Sequence, residues 1–283
     1  MKNCILYLVR ASKEDIESLN KSLALVKDNV LSALNDTTDI ILFHEQDLEP
    51  FKKDILQLPN IIYEQIEFKV PEYYSEELKN SIPEFYPHGT HGKDGPYGEV
   101  YHKEHGRYHP GFTMGYRHMC RWFSGELYNH PRMALYDYYL RLDTDSYIHT
   151  KFQYDLFKWA VNIQCKYGFI APGIQIDHHT VIEGLWQASN QWMHETDQSI
   201  YIDCTTIPNG KMFYTNFELG YIPWFKESGY MEYYNYLDNT GGFFTKRWGD
   251  APIKYLGINM LMDKKHIQPV TGITYQHGAI YNV

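Results

Sequence analysis

The sequence predicts an α/β protein organised as a single domain over residues 1–283. Two observations carry the prediction. Strand-like and helix-like runs alternate between residues 4 and 70, the pattern of a parallel, Rossmann-like sheet with crossover helices. Further on, an aromatic-rich run, Tyr136–Leu142, ends in Asp143-Thr144-Asp145, and open α/β sheets bind ligands beyond the carboxyl ends of such strands. No internal repeat, low-complexity tract or clear linker divides the chain, whose length suffices for one large core.

In chain order, Cys4–Val9 is a short continuous apolar run, hence a buried strand. Arg10-Ala11-Ser12 leads from it into a segment whose Ile16, Leu19, Leu23, Val26 and Val30 form one face of an amphipathic helix, with Ser12 as N-cap. Asp39–His44 reads as a second strand, Phe51–Leu58 as a short helix stopped by Pro59, and Ile61–Val70 as a third strand. From Pro71 to Pro110 the periodicity is lost and Pro, Gly and His are dense. A long irregular segment in a compact domain is more often a lid or binding loop than a spacer. Its histidines, His88, His91, His102, His105 and His109, lack helical pairing or Cys partners, which argues against a zinc site.

Gly111–His130 reads as a helix closed by Pro131, and the organising strand Tyr136–Leu142 follows. Phe152–Lys166 is a second amphipathic helix, Tyr167–Ile170 a strand and Thr180–His194 a helix. Asn209-Gly210 is a turn before Met212–Leu219, and the aromatics of Tyr221–Leu237 are too dense for their buried face to be assigned. Gly241-Gly242 is a break, Asp250–Met262 a helix capped by Asp250 with Pro252 in its first turn, and His266–Tyr275 a closing strand.

A net charge of −9 argues against a nucleic-acid binder, which needs a basic stripe to displace counterions. Tyr and Trp, with an apolar face and a polar tip, suit sugar-binding grooves as well as cores, and 26 tyrosines serve either use. Cys4, Cys120, Cys165 and Cys204 contain no CxxC, which excludes a sequence-local zinc ribbon. The opening MKNCILYLVR is too short an apolar run for a signal peptide, and no stretch approaches the ~20 residues that span a bilayer. A soluble, unanchored, cytoplasmic protein is therefore expected.

Two carboxylates one residue apart at a strand mouth repel each other, and a hard divalent cation relieves that repulsion. Asp143 and Asp145 could then bridge a metal to a diphosphate. An isolated D-x-D is more often a solvated turn, so the decision rests on longer motifs: Tyr116-Arg117-His118-Met119-Cys120-Arg121, Thr215-Asn216-Phe217-Glu218, Arg247-Trp248-Gly249-Asp250-Ala251-Pro252 and the terminal Tyr275-Gln276-His277. In this order, with Arg141-Leu142-Asp143-Thr144-Asp145 and Gly241-Gly242-Phe243-Phe244, they resemble the fungal α-1,2-mannosyltransferases of the Kre2/Mnt1 (KTR) type, glycosyltransferase family 15. The likeness is densest from Met114 to the C-terminus.

The resemblance implies a GT-A fold, GDP-mannose as donor, Mn2+ or another divalent cation, a glycan or glycoprotein acceptor, and transfer with retention. It implies metal ligation by Asp143, Asp145 and His277. It places Arg10, Tyr116, Arg117 and Asp145 at the donor, Glu218 as the proposed nucleophile and Asp250 as a rival carboxylate with a structural or acceptor-orienting part. Asp143-Thr144 stands where the family has Glu-Pro, so the first carboxylate reaches one methylene less. The family's Golgi anchor has no counterpart here, and the lack of a family Cys before Thr215 implies that Cys120 is without a disulfide partner. Residues 71–110 are the expected acceptor side. Another donor such as GDP-fucose, UDP-glucose or UDP-GlcNAc on the same scaffold is an alternative, and a catalytically silent glycan-binding protein is a second. The joint presence of Asp143, Glu218 and His277 argues against the latter.

Overall fold

A computed structural model describes residues 1–35, 37–83, 113–170, 174–177 and 179–283, and of residues 101–102, 107–108, 174 and 180 the backbone alone. His88, His91, His105 and His109, with most of the segment 71–110 expected on the acceptor side, lie outside the described residues, as does the side chain of His102.

Seven strands form the central sheet: β1 (Asn3–Val9), β2 (Asp39–His44), β3 (Ile61–Gln65), β4 (Tyr138–Leu142), β5 (Tyr167–Ile170), β6 (Phe217–Tyr221) and β7 (Ile267–Val270). Their spatial order is β7-β5-β6-β4-β1-β2-β3. β1, β2, β3 and β4 are mutually parallel, β5 is parallel to β7, and β6 runs antiparallel to both its neighbours. β1 and β2 are buried on both faces, as parallel strands under helices must be, and this explains their unbroken apolar runs.

Two cores lie on opposite faces of the sheet. One contains Ile5, Tyr7, Leu140, Leu142, Phe217 and Leu219 and is closed by helix α1 (Lys13–Asn29). The other contains Leu6, Phe43, Tyr139 and Tyr167 under three helices: α2 (Met114–Arg121), α3 (Tyr230–Asn239) and α4 (Asp250–Leu261). The aromatics of 221–237 belong to this second core. The period of two along a strand therefore turns Arg141 and Glu218 towards α4, because their neighbours Leu140, Leu142, Phe217 and Leu219 face the other way.

Ser12 caps α1 as expected, its Oγ accepting from the Asp15 amide at 3.1 Å. Elsewhere the ends move for identifiable reasons. The short helix expected at Phe51–Leu58 is instead a 3₁₀ segment, Gln46–Asp54, since Pro50 withdraws a donor from an α-helical ladder. The 152–166 helix begins at Leu156, where the Asp155 carboxylate accepts from the Phe157 and Lys158 amides. The 180–194 helix waits for Gly184, whose φ of +76° breaks the chain before Leu185. The closing strand is split by Gly272 at φ +84°, and Thr274–His277 leaves the main sheet for a small one with Tyr147–Ile148 and Ala279–Asn282. The helix expected through 111–130 contains a π-turn at Trp122–Glu126, where Ser124 Oγ donates back to the Cys120 carbonyl at 2.7 Å.

Asp250 is not the cap of α4. Gly249 occupies the N-cap position without a side-chain bond, and Asp250 is the first helical residue. Its carboxylate is drawn instead to Arg141, 2.5 Å away. All four cysteines are buried free thiols, so Cys120 has no disulfide partner.

Candidate active site

β1 and β4 are parallel neighbours, so the segments leaving their carboxyl ends meet. From β1 comes Arg10, whose exposed guanidinium bonds Asp15 at 2.5 Å. From β4 comes Asp143-Thr144-Asp145, and Thr144 Oγ1 lies 3.5 Å from Asp15. The Asp143 amide donates to the Asn216 carbonyl at 3.3 Å and to Ser146 Oγ at 3.2 Å, which fixes the turn.

The small sheet carries the chain terminus to the same place. Tyr275 pairs with Ile148 and Gln276 with Tyr147, which sets His277 beside Asp145. The Tyr275 hydroxyl locks this register through Ser146 Oγ at 2.8 Å and Asn216 Oδ1 at 2.7 Å. His277 Nδ1 comes within 3.0 Å of Asp145 Oδ1, yet off the hydrogen-bond direction, so the nitrogen is buried without a hydrogen bond. Burial opposes its protonation, but Asp145 and Asp143 together hold the imidazole above its ordinary value. The His277 contact keeps Asp145 below the usual carboxylate range. Burial pushes Asp143 up, aided by Asp250 and Asp145 and opposed by Arg141 and His277.

Two carboxylates and an imidazole are a suitable donor set for Mn2+, and the unsatisfied His277 Nδ1 is an atom that a metal would satisfy. The set is only partly assembled. Asp145 and His277 touch, while Asp143 Oδ1 is engaged by Arg141 Nε and Nη2 at 3.3 and 3.2 Å. Among the described residues no three His, Cys, Asp or Glu side chains converge as a finished cage.

Behind the strand mouth the remaining expected residues separate. Asp250 is buried and accepts from Arg141 and, at 3.0 Å, from Thr215 Oγ1. Burial raises its pKa, but Arg141, Lys254 and Thr215 outweigh it and hold the group below the usual range. Tyr116 presents its hydroxyl to Arg247 at 2.9 Å, with that guanidinium 4.9 Å from its ring. Arg247 adopts φ +60°, rare for a side-chain-bearing residue and a mark of a constrained site. Arg117 is fully buried and donates to the Phe244 and Pro83 carbonyls, both at 2.7 Å, so it braces the wall behind Tyr116. Glu218 is also fully buried. Lys254 Nζ lies 2.6 and 2.8 Å from its two oxygens, Tyr139 donates to one and Tyr167 to the other.

Sequence reasoning missed Arg141 as a partner, Lys254 and Arg247. The charge of Arg141 inside an otherwise apolar strand was the available signal, since a buried cation demands a counter-ion. Lys254, four residues after Asp250 in α4, was the other.

The antiparallel strand inserted in a parallel sheet, with a D-x-D beyond β4, defines a GT-A glycosyltransferase fold. Solved mannosyltransferases share it. Core-mannan synthase A (CmsA/Ktr4) of Aspergillus fumigatus, in an Mn/GDP form, superposes with a TM-score of 0.77 at 24% identity, over 98% of this chain and 75% of its own. Ktr4p of Saccharomyces cerevisiae, in complex with GDP, gives 0.78 at 24% identity, over 98% and 71%.

Residues 1–283 match the glycolipid 2-alpha-mannosyltransferase family, glycosyltransferase family 15, and the chain belongs to it. The probable mannosyltransferase KTR3 of S. cerevisiae is 35% identical over 176 residues, 59% of this chain and 43% of its own length. The alpha-1,2 mannosyltransferase KTR1 of the same yeast is 34% identical over 181 residues, 61% and 46%. The chain thus spans less than half the length of these curated relatives. Among the described residues no helix is long and apolar enough to cross a membrane.

Proposed function

We propose that the chain transfers mannose from GDP-mannose to an acceptor hydroxyl with the help of a divalent cation, Mn2+ foremost, making an α-1,2-mannoside on a mannosylated glycan with retention. The observation that supports this most is the meeting of Asp143-Thr144-Asp145 with His277, 132 positions after Asp145 in a chain of this family. Asp145, His277 and Asp143 would hold the metal, which when bound offsets the charge that builds on the departing diphosphate. Arg10, exposed beside the same mouth, is suited to the donor's phosphates, and Tyr116 with Arg247 to the wall beside the sugar. Asp250, ionised and held by Arg141 and Thr215, orients the acceptor or the sugar. Glu218 remains the carboxylate assigned to the anomeric side. Its oxygens are both engaged, so this geometry favours arrival of the acceptor hydroxyl on the leaving-group face over a covalent glycosyl–Glu218 bond.

The test combines thermal shift with turnover. GDP and GDP-mannose are expected to stabilise the protein only with Mn2+, by mass action on the native state. UDP and UDP-glucose should have no effect. Glu218→Ala should lose turnover with mannoside acceptors while the donor-induced shift persists at saturating Mn2+. Stabilisation by UDP nucleotides instead would overturn the donor, and the absence of any nucleotide response would overturn the enzyme.

A further inference from the structure

Four charges of alternating sign stand at the corners of a square between β4, β6 and α4, joined along two of its sides. Arg141 and Glu218 are cross-strand partners on one face of the sheet. Asp250 and Lys254 stand one helical turn apart above them. The contacts alternate in sign: Arg141 to Asp250 at 2.5 Å, and Lys254 to Glu218 at 2.6 and 2.8 Å. The ring of Phe123, placed by the π-turn, lies beneath both cations, 3.5 Å from Arg141 Cζ and 5.9 Å from Lys254 Nζ. The Lys254 and Glu218 side chains have no exposure at all.

Stability alone does not explain such a square. Removing ions from water is costly, and apolar residues of equal volume often do as well or better. One corner of the square reaches the strand mouth. Arg141 is shared, its Nη1 going to Asp250 and its Nε and Nη2 to Asp143 at the strand mouth. The position of the Arg141 fork therefore depends on the balance of charge at the three other corners.

From this geometry we infer that Lys254 is a positioning residue for the metal carboxylate Asp143, acting through Glu218 and Arg141. Lys254 neutralises Glu218 and leaves Arg141 free to divide itself between Asp250 and Asp143. Without Lys254, Glu218 keeps only the neutral Tyr139 and Tyr167 hydroxyls as partners, and its unbalanced charge, next to Arg141 across the strand pair, draws the guanidinium inwards and away from Asp143. Asp143 then loses the contact that orients it beside Asp145 and His277. The inference rests on the proposed metal site at those three residues.

The experiment is a titration of free Mn2+ followed by electron paramagnetic resonance, on the full chain, with unfolding midpoints measured in parallel. It compares the parent with Lys254→Met, Glu218→Gln and the double variant. Loss of an outer partner of a metal ligand typically weakens binding by about 10–100-fold, and each single variant is expected to lose about tenfold. The double variant, in which no corner is left unbalanced, is expected within about threefold of the parent, because coupled residues are not additive. Unchanged binding in the singles, or a double-variant loss equal to the product of theirs, overturns the inference. If Lys254→Met does not fold, Glu218→Gln against the double variant decides: tighter binding by the double supports it, and equal or weaker binding overturns it. A parent that binds no Mn2+ fails the proposed metal site instead, a separate result.

Discussion

Arg121 and Arg141 are both buried arginines paired with a buried aspartate, and their surroundings differ in one respect that matters. Arg121 presents Nε and Nη2 to the two oxygens of Asp238, both at 2.8 Å, and reaches the partly exposed Glu126 only as a second, longer contact of 3.2 Å from Nη2. Tyr73 and Tyr74 close the same aspartate from the other side. The bidentate pair ties α2 to α3. Arg141 divides its fork between Asp250 on α4 and Asp143 at the mouth of the sheet. A bidentate pair is a staple. A divided guanidinium transmits position, because one partner can be kept only where the other allows.

The contrast is broken most severely at Asp238. Asp238→Asn leaves the buried Arg121 charge with only the longer contact to the partly exposed Glu126, and removing one member of a buried pair costs about 3–5 kcal/mol. The midpoint of urea unfolding should fall accordingly, while folded protein keeps its Mn2+ affinity. A second, smaller effect sharpens the comparison. Lysine is a point charge that cannot hold two carboxylates as a planar fork does. Arg141→Lys is expected to weaken Mn2+ binding about tenfold, whereas Arg121→Lys lowers stability and leaves binding unchanged. Equal losses of Mn2+ affinity in the two variants would erase the distinction.

The smallest effect is a pH dependence on the Arg121 side. His118 lies stacked on Phe68, and burial, then the Arg121 and Arg117 charges, hold its pKa down to about 4. The unfolded chain protonates near the ordinary value of about 6.5, so the unfolded state binds more protons below that pH. The stability due to neutral His118 is complete above pH 6.5 and is lost as pH falls towards 4. Between pH 6.5 and 5.5 this amounts to about 1 kcal/mol, a drop in melting temperature that His118→Phe should flatten. An unchanged slope in that variant would place the titration elsewhere.

The strands β1, β2 and β5 were legible almost to the residue, because buried strands are continuous apolar runs bounded by polar residues. Asp143 and Asp145 were legible as a strand-end pair because a strand end is a local feature, while reading them as a candidate site needed the longer motifs. Other readings required partners distant in sequence. Asp250 was read as a helix cap because Asp before an apolar helix ordinarily is one. Arg141, 109 positions away, changed its part by supplying a stronger bond. The helix through 111–130 carried no signal for its π-turn, which a serine back-bond and the packing of Phe123 under Arg141 impose.

By itself the sequence determined the α/β layering, the strand that bears Asp143 and Asp145, and membership in a family through motifs spread along the chain. The layering and the strand follow from local periodicity, which needs no knowledge of what lies opposite, and the membership from the likeness of the motifs to the family's. Only the tertiary structure decided that Asp143 shares its arginine with Asp250, that His277 meets Asp145, and that Glu218 lies fully buried with Lys254 on both its oxygens. The physical reason is that a charge in a low-dielectric interior is defined by its nearest counter-ion, and here each counter-ion comes from a different element of the fold.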